Sequence, residues 1–367
     1  MRAPLLALGL FDRMLAVLRG AEAIAGARGD PASRARVAVY ITGHLWLVGE
    51  NAAAVHAEPR TLALVEPLGD PALMVPTRFY LGASRHALGD FRQSAQLLEA
   101  NLAEIARHGN RRFGLTGLPA VLCRGIRVLS NTELGNFDDA DAEAAETLRI
   151  AEASGHPFSA ITAHYVAAGA RLARGDQDGA LVLVKRALGI GRSEDVPMYY
   201  LPLLTLQAEA LARNGGAAEA AKVVDRILSL RREPINVATH AAMAPADAYL
   251  LAGRQAEAAA IAEAGLETAK RKRELSFEAW ALRALAAVEI TRDPRKQLGA
   301  ACLEEARTRA RELGMRPLEA RCQLDLGLHL LPRDRAAAQA PLAQAAAIFE
   351  QAGMPFWLAR TRAALAS

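Results

Sequence analysis

Arginine is the residue type with most binding chemistry in the first half of this sequence. Arg78, Arg85, Arg124 and Arg127, accompanied by Arg36, Tyr40, His44 and Tyr80, bring planar cationic forks that grip carboxylates or phosphates at two points. Tyr199 and Tyr200 offer rings that can stack on or cover a ligand. Arg111, Arg112 and Phe113 stand together before Gly114 and Gly117, in a stretch closed by Pro119. These groups bind; none of them is equipped to catalyse.

Catalytic constellations are missing around them. No G-x-x-x-x-G-K-[S/T] occurs, so no loop of that kind cradles a nucleotide phosphate. No H-E-x-x-H occurs either, and the eight histidines never stand at ligand spacing from a cysteine or carboxylate. His44, His164 and His240 read as groove-lining or partly buried polar residues. Gly82-Ala-Ser-Arg-His86 lacks the second glycine of a nucleophile elbow and lies inside a helical pattern. The acidic cluster Asp138, Asp139, Asp141, Glu143 and Glu146 opens a helix, where each carboxylate stabilises the positive terminus by roughly 0.3–1 kcal/mol. The basic run Lys270–Arg273 closes another helix and complements its negative end, with docking of a partner as the alternative role. The expectation is a protein without catalytic residues, metal or cofactor.

Composition limits the rest. The chain has 367 residues, of which 52% are apolar, 23% charged and only 5% aromatic. It can bury a core, and its alanine and leucine favour helices over pleated sheet. The net charge of +4 divides into +4 over residues 1–135, −5 over 136–270 and +5 over 271–367. No run of five or six like charges appears, which argues against a nucleic-acid arm. Cys123, Cys302 and Cys322 form no C-x-x-C pair and suit a reduced, cytoplasmic protein. No stretch reaches the ~18–20 apolar residues of a membrane span. Residues 3–11 resemble a signal peptide faintly, but the run stops at Asp12-Arg13 and reads better as the first helix.

A repeat supplies the elements that must position these residues. Six turns share the form G-x-x-x-x-[A/S], with glycines at 49, 89, 135, 175, 215 and 253, separated by 40, 46, 40, 40 and 38 residues. Thirteen residues after every one of them stands a leucine: Leu62, Leu102, Leu148, Leu188, Leu228 and Leu266. Helix stops of the Gly-x-Pro kind fall between the turns: Gly29-Asp30-Pro31, Gly69-Asp70-Pro71, Gly155-His156-Pro157, Gly314-Met-Arg-Pro317 and Gly353-Met354-Pro355, with Asp195-Val196-Pro197 and Glu233-Pro234 as variants. Each repeat is thereby cut into helix A, before the turn glycine, and helix B, after it. The turn glycine takes the left-handed conformation, the alanine or serine lets B lie close to A, and the leucine packs between repeats. Seven residues before the glycine a small residue recurs (Gly82, Ala168, Ala208, Ala246), with Thr42 and Val128 larger. Degenerate repeats follow over 277–313 and 317–352, turning at Thr291–Pro294 and Pro332–Asp334. The single 46-residue spacing marks an insertion near 108–119, either an exposed functional loop or a plug in which Phe113 fills a gap between repeats.

This pattern resembles tetratricopeptide repeats, through the small residue before the turn, the aromatic two after it (Phe91, Phe137) and the alanine five after it. The period is longer than the usual 34. Four stretches are more particular: Leu88-Gly-Asp-Phe-Arg92, Arg112–Pro119, Leu313-Gly-Met-Arg-Pro317 and Ala352-Gly-Met-Pro-Phe-Trp-Leu358. They look like the C-terminal repeat region of bacterial signalling proteins that carry a class III nucleotide-cyclase or STAND-type ATPase domain upstream. The resemblance implies an all-α solenoid of about eight antiparallel helix pairs in a right-handed superhelix. Residues 1–30 would form an N-terminal helix, 31–354 the pairs and 355–367 a capping helix, with the array starting in mid-repeat as a fragment would.

The function expected is a non-catalytic scaffold with a protein or peptide partner in its concave groove, acidic if the arginines line it, or a second copy of the chain. The alternative is the regulatory end of a cyclase or ATPase whose catalytic domains lie elsewhere.

Overall fold

A computed structural model describes residues 11–190, 197–230, 244–295 and 297–367. The breaker Glu233-Pro234, the residues Asp195-Val196, His240 and the first ten residues lie outside them. Every described element is helical. After α1 (Phe11–Arg28), the helix pairs run in chain order. The first is α2 (Pro31–Val48) with a B helix split into α3 (Asn51–His56) and α4 (Glu58–Val65). Next come α5 (Pro71–Ala87) with α6 (Phe91–Ala106), α7 (Pro119–Leu134) with α8 (Phe137–Ser154), and α9 (Pro157–Arg174) with α10 (Gln177–Ile190). The array continues through α11 (Pro197–Arg213) with α12 (Ala217–Leu230), and α13 (Ala244–Leu251) with α14 (Gln255–Lys272). It ends in α15 (Leu275–Arg292) with α16 (Gln297–Glu312), α17 (Arg316–Leu330) with α18 (Arg335–Gln351), and the terminal α19 (Pro355–Ala366). Eight A–B pairs are thus present among the described residues, as the repeat predicts.

Local chemistry sets these boundaries. All six turn glycines have φ between 76° and 104°, the left-handed region that suits glycine and ends helix A. Asp30 and Asp70 cap α2 and α5, their side chains accepting from backbone N–H groups of the first turn, with proline at the first helical position of each. The split in the first B helix follows from Pro59, which has no N–H to continue the ladder. The sequence pattern had implied one helix there.

The small residue seven before each turn is buried in every repeat, including the larger Thr42 and Val128. A β-carbon on Gly82 would come within 2.7 Å of the Leu98 side chain, so helix B does press on helix A at this point. The leucine thirteen after the turn requires a correction. Leu62, Leu102, Leu148, Leu188 and Leu266 are half-buried, and Leu228 is 39% exposed. The enclosed positions lie five, nine, twelve and sixteen after the glycine, for example Ser94, Leu98, Asn101 and Ile105. At about 100° per residue these share one stripe, and position thirteen falls about 70° from its centre. Leu148 and Leu188 still pack against the edge of a core cluster.

The array bends far enough to meet itself. Asn51 Nδ2, at the start of α3, donates to Glu274 Oε1 at the start of α15 (3.1 Å). The turn at Gly89 abuts Leu313, that at Gly135 abuts Arg316 and Pro317, and that at Gly175 abuts Phe356. Gly175 has φ 104°, and a β-carbon there would lie 2.6 Å from the Phe356 β-carbon, so the seam depends on glycine. Phe91 and Phe137, the aromatic residues after two of those turns, are buried in core clusters otherwise built from α15–α19. The A–B turns of the early repeats therefore seat on the late ones in step along the chain, so that one turn of the solenoid packs against the next.

Candidate functional site

The packing of one solenoid turn on the next leaves a cavity of about 280 Å³ at the centre. Each of the eight A helices contributes to its wall, whereas Asn51 is the sole B-helix residue among those lining it. On α9 the wall residues are Phe158, Thr162, Tyr165, Val166, Gly169 and Leu172, spaced three or four apart as one helical face requires. Helix A lines the concave surface, as the repeat pattern implies.

Part of the wall is aromatic. Trp46, Phe79 and Tyr80 contact one another with ring centroids 5.4–5.6 Å apart. A second group is on α9 and α11, where Tyr199 meets Phe158 at 5.4 Å and Tyr165 at 5.3 Å. Burial pushes the Tyr199 hydroxyl up to about 12, although a hydrogen bond with Thr162 opposes this, so it stays neutral. Another part is charged. Glu209 and Asp247 pair with Arg213 and Arg283, with Arg321 beside them in the wall, whereas Glu133 meets Trp280 and Glu274 meets Asn51. Burial raises Asp247, but the Arg283 and Arg321 guanidiniums outweigh it and hold the carboxyl below its ordinary value.

The residues singled out from sequence distribute unevenly over this site. Tyr199 lines the cavity; Tyr200 instead lies under the Arg226 guanidinium, 5.5 Å from its ring centre. Arg85 pairs with Glu58 and with Asp90 (2.9 Å), and donates to Gln93 (2.7 Å). Arg124 and Arg127 share Glu143 of α8, at 2.7 and 2.8 Å, and Arg127 also reaches Glu99 at 3.4 Å. Arg78 is half-buried and adds to the field that lowers Glu104. None of these four arginines is among the wall residues. The expected positive strip is compensated by carboxylates from the B helices, which a count along the A helices alone misses. On α7 the wall takes Gly125, Ile126 and Leu129; Arg124 and Arg127 flank that face on the side toward α8.

The insertion is packed against its neighbours, as the plug reading expects. Phe113, with φ 49°, is half-buried against a core cluster, meeting His108 edge-on at 5.7 Å and Arg111 at 5.2 Å. Arg112 contacts His156 (3.2 Å). The buried Leu115 and Leu118 complete the plug, and Leu115 and Thr116 also reach the cavity wall. Sequence reasoning missed these two, as it missed Glu133, Trp280 and Arg321, because their meeting depends on how successive turns pack.

Glu133 offers a test of this geometry. Its Oε2 accepts from the Trp280 indole N–H on α15 (3.2 Å). Burial pushes its carboxyl from an ordinary 4.5 up to about 7, against the opposing effect of that hydrogen bond. Between those values the folded chain keeps a proton that the unfolded chain has released, so this group's contribution to stability is lost as pH rises through the window. Glu133→Gln keeps an acceptor for Trp280 and removes the titration. It should raise stability at about pH 8 by on the order of 1–3 kcal/mol and have little effect near about pH 5, as read by denaturation at both.

Gly169 offers another. A β-carbon there would meet only Leu129, at 4.0 Å, and its φ is not in the positive range. Gly169→Ala should therefore stabilise α9 by about 0.5–1 kcal/mol, measured by urea denaturation.

Among the described residues, no group of three histidine, cysteine or acidic side chains could hold a metal ion. No described helix is long and apolar enough to cross a membrane. Cys123, Cys302 and Cys322 are free and buried.

No protein-family model and no curated protein matches the sequence. Solved structures do resemble it. The apo form of the quorum sensor NprR from B. thuringiensis aligns with a TM-score of 0.56 at 14% identity, over 93% of this chain and 97% of that one. A Rap protein complexed with competence and sporulation factor gives 0.54 at 13% identity, over 90% and 98%. The Rap conjugation gene regulator of the plasmid pLS20, in complex with the Phr* peptide, gives 0.58 at 15% identity, over 79% and 77%. The fold of this chain is thus an all-helical, tetratricopeptide-like repeat array similar to that of the Rap and NprR regulators.

Proposed function

We propose that this chain is a non-catalytic scaffold that takes a short peptide segment into its central cavity. The observation that carries the reading is the cavity itself, walled by all eight A helices and lined by both aromatic rings and paired charges. Its volume of about 280 Å³ stands at the lower edge of the roughly 300–1,000 Å³ range of ligand pockets, which suits a few residues better than a folded domain. Two of the structurally similar regulators are described as peptide or factor complexes, and this supports the same use here. A cytoplasmic setting goes with this reading. Self-association is a finer form of it, supported by Ile24, Val182 and Leu298, which are 51–59% exposed on α1, α10 and α16.

A second reading makes the chain the regulatory region of a nucleotide-cyclase or STAND ATPase protein. It is supported by Leu313–Pro317 and Ala352–Leu358, the two stretches that meet the early turns at the seam. Under either reading the repeat array supplies binding and the chemistry belongs to a partner or another domain.

Equilibrium selection from a random pentapeptide library tests the first reading. The full chain should retain a small, related set of sequences well above an unrelated helical-repeat control. Retention equal to the control would overturn it.

A further inference from the structure

The charged part of the cavity wall holds three guanidiniums, and they are not equivalent. Arg283 is engaged twice, donating from Nη1 to Asp247 and from Nε to Asp325 at 2.8 Å each. Arg213 donates to the Leu172 carbonyl at 2.8 Å and to Glu209. Arg321, on α17, is left over. It is 5% exposed, and its closest carboxylate oxygen, on Asp247, stands 3.6 Å away, outside hydrogen-bond reach. Among the described residues it makes no hydrogen bond, and its Nε–H is enclosed without an acceptor.

A guanidinium carries five N–H donors, and enclosing a cation with those donors unused is costly. The Trp357 ring holds one side of it, with the guanidinium carbon 3.9 Å from the ring centre, and Arg213 stands over the same ring at 4.9 Å. Burial, reinforced by the Arg283 and Arg213 charges, pushes Arg321 down to about 9. The three carboxylates nearby are already taken: Asp247 and Asp325 by Arg283, Glu209 by Arg213. The three guanidiniums and three carboxylates balance in charge, yet the Arg321 N–H donors are left without a hydrogen-bond acceptor in the wall.

We propose that Arg321, with Arg213 beside it on the Trp357 ring, is a carboxylate-binding subsite, and that the segment taken into the cavity presents a carboxylate there. The inference rests on the peptide reading above and specifies its chemistry. The carboxylate comes either from a C-terminus or from an aspartate or glutamate side chain. A planar carboxylate matches the guanidinium fork at two points, and the dry cavity strengthens that pairing relative to water.

Two pentapeptide libraries test it against the full chain, one with free C-termini and one capped as amides. If the terminus is the source, peptides retained from the first library should bind at least tenfold more weakly as amides. If a side chain is the source, amide-capped peptides containing aspartate or glutamate should be retained, and their asparagine or glutamine counterparts should bind at least tenfold more weakly. Arg321→Gln should abolish either difference, and Arg321→Lys should restore part of it; the acid–amide comparison on the unaltered chain stands even if a variant folds poorly. Retained peptides that bind equally well with and without any carboxylate overturn this inference and leave the peptide reading intact. A carboxylate preference that persists in a folded Arg321→Gln variant also overturns it. Retention of nothing from either library overturns both.

Discussion

Replacing Trp357 by alanine should destabilise the protein by about 3–5 kcal/mol, the range for deleting a large buried aromatic. The ring is 2% exposed and joins the C-terminal helix α19 to α9 in the middle of the array. It stacks on Phe349 with centroids 6.2 Å apart, meets Phe356 edge-on at 5.0 Å and supports both Arg213 and Arg321. Its indole N–H donates to the Ala173 carbonyl across the seam (3.2 Å). Trp357→Phe keeps one aromatic ring but loses the second ring of the indole and that bond, so its cost should be smaller than that of Trp357→Ala and at least the roughly 1–3 kcal/mol of one buried acceptor left unpaired. Denaturant unfolding of both variants checks the pair. A cost below about 1 kcal/mol for Trp357→Ala would mean that α19 does not pack on α9.

Leu98→Ala should cost a further large amount, about 2–5 kcal/mol. Leu98 is fully enclosed at the ninth position after its turn, against the glycine seven before it. Leu228, thirteen after its own turn and 39% exposed, should cost under about 1 kcal/mol when truncated in the same way. Both are leucines on B helices, so the contrast isolates register from residue type. Equal costs would return the buried stripe to the thirteenth position.

Those two leucines also show what the sequence could and could not reveal. The recurrence at offset thirteen is real and locates the repeats, yet a leucine on the flank of a stripe recurs as faithfully as one at its centre. Periodicity gives the helix and its phase only to within a neighbouring position. The turn glycines were legible because left-handed backbone has a residue signature. Gly314-Met315 and Gly353-Met354 stood out in the sequence for the same reason, without disclosing that Met315 and Met354 are buried at the seam. The arginines misdirect in an instructive way: a side chain's charge is visible in sequence, but the carboxylate that meets it lies 16–27 residues away on another helix, as Glu143 does for Arg124 and Arg127, or Glu58 for Arg85. Arg321 drew no notice because its significance lies in an acceptor that the folded chain does not provide.

The central claim is that the packing of turn on turn creates a peptide site, and the three tryptophans of the chain report on it. Trp46 and Trp280 line the cavity, and Trp357 lies beneath Arg321. The most direct measurement is a fluorescence titration, with a peptide retained from the library, of the unaltered chain and of Gly169→Leu. Gly169 is at the wall, where a β-carbon would touch only Leu129, at 4.0 Å, so the leucine side chain is directed at the cavity. A saturable change in tryptophan emission in the unaltered chain, lost in a Gly169→Leu variant of undiminished stability, is the expected result. Equal binding by both would place the peptide elsewhere on the molecule and contradict the account.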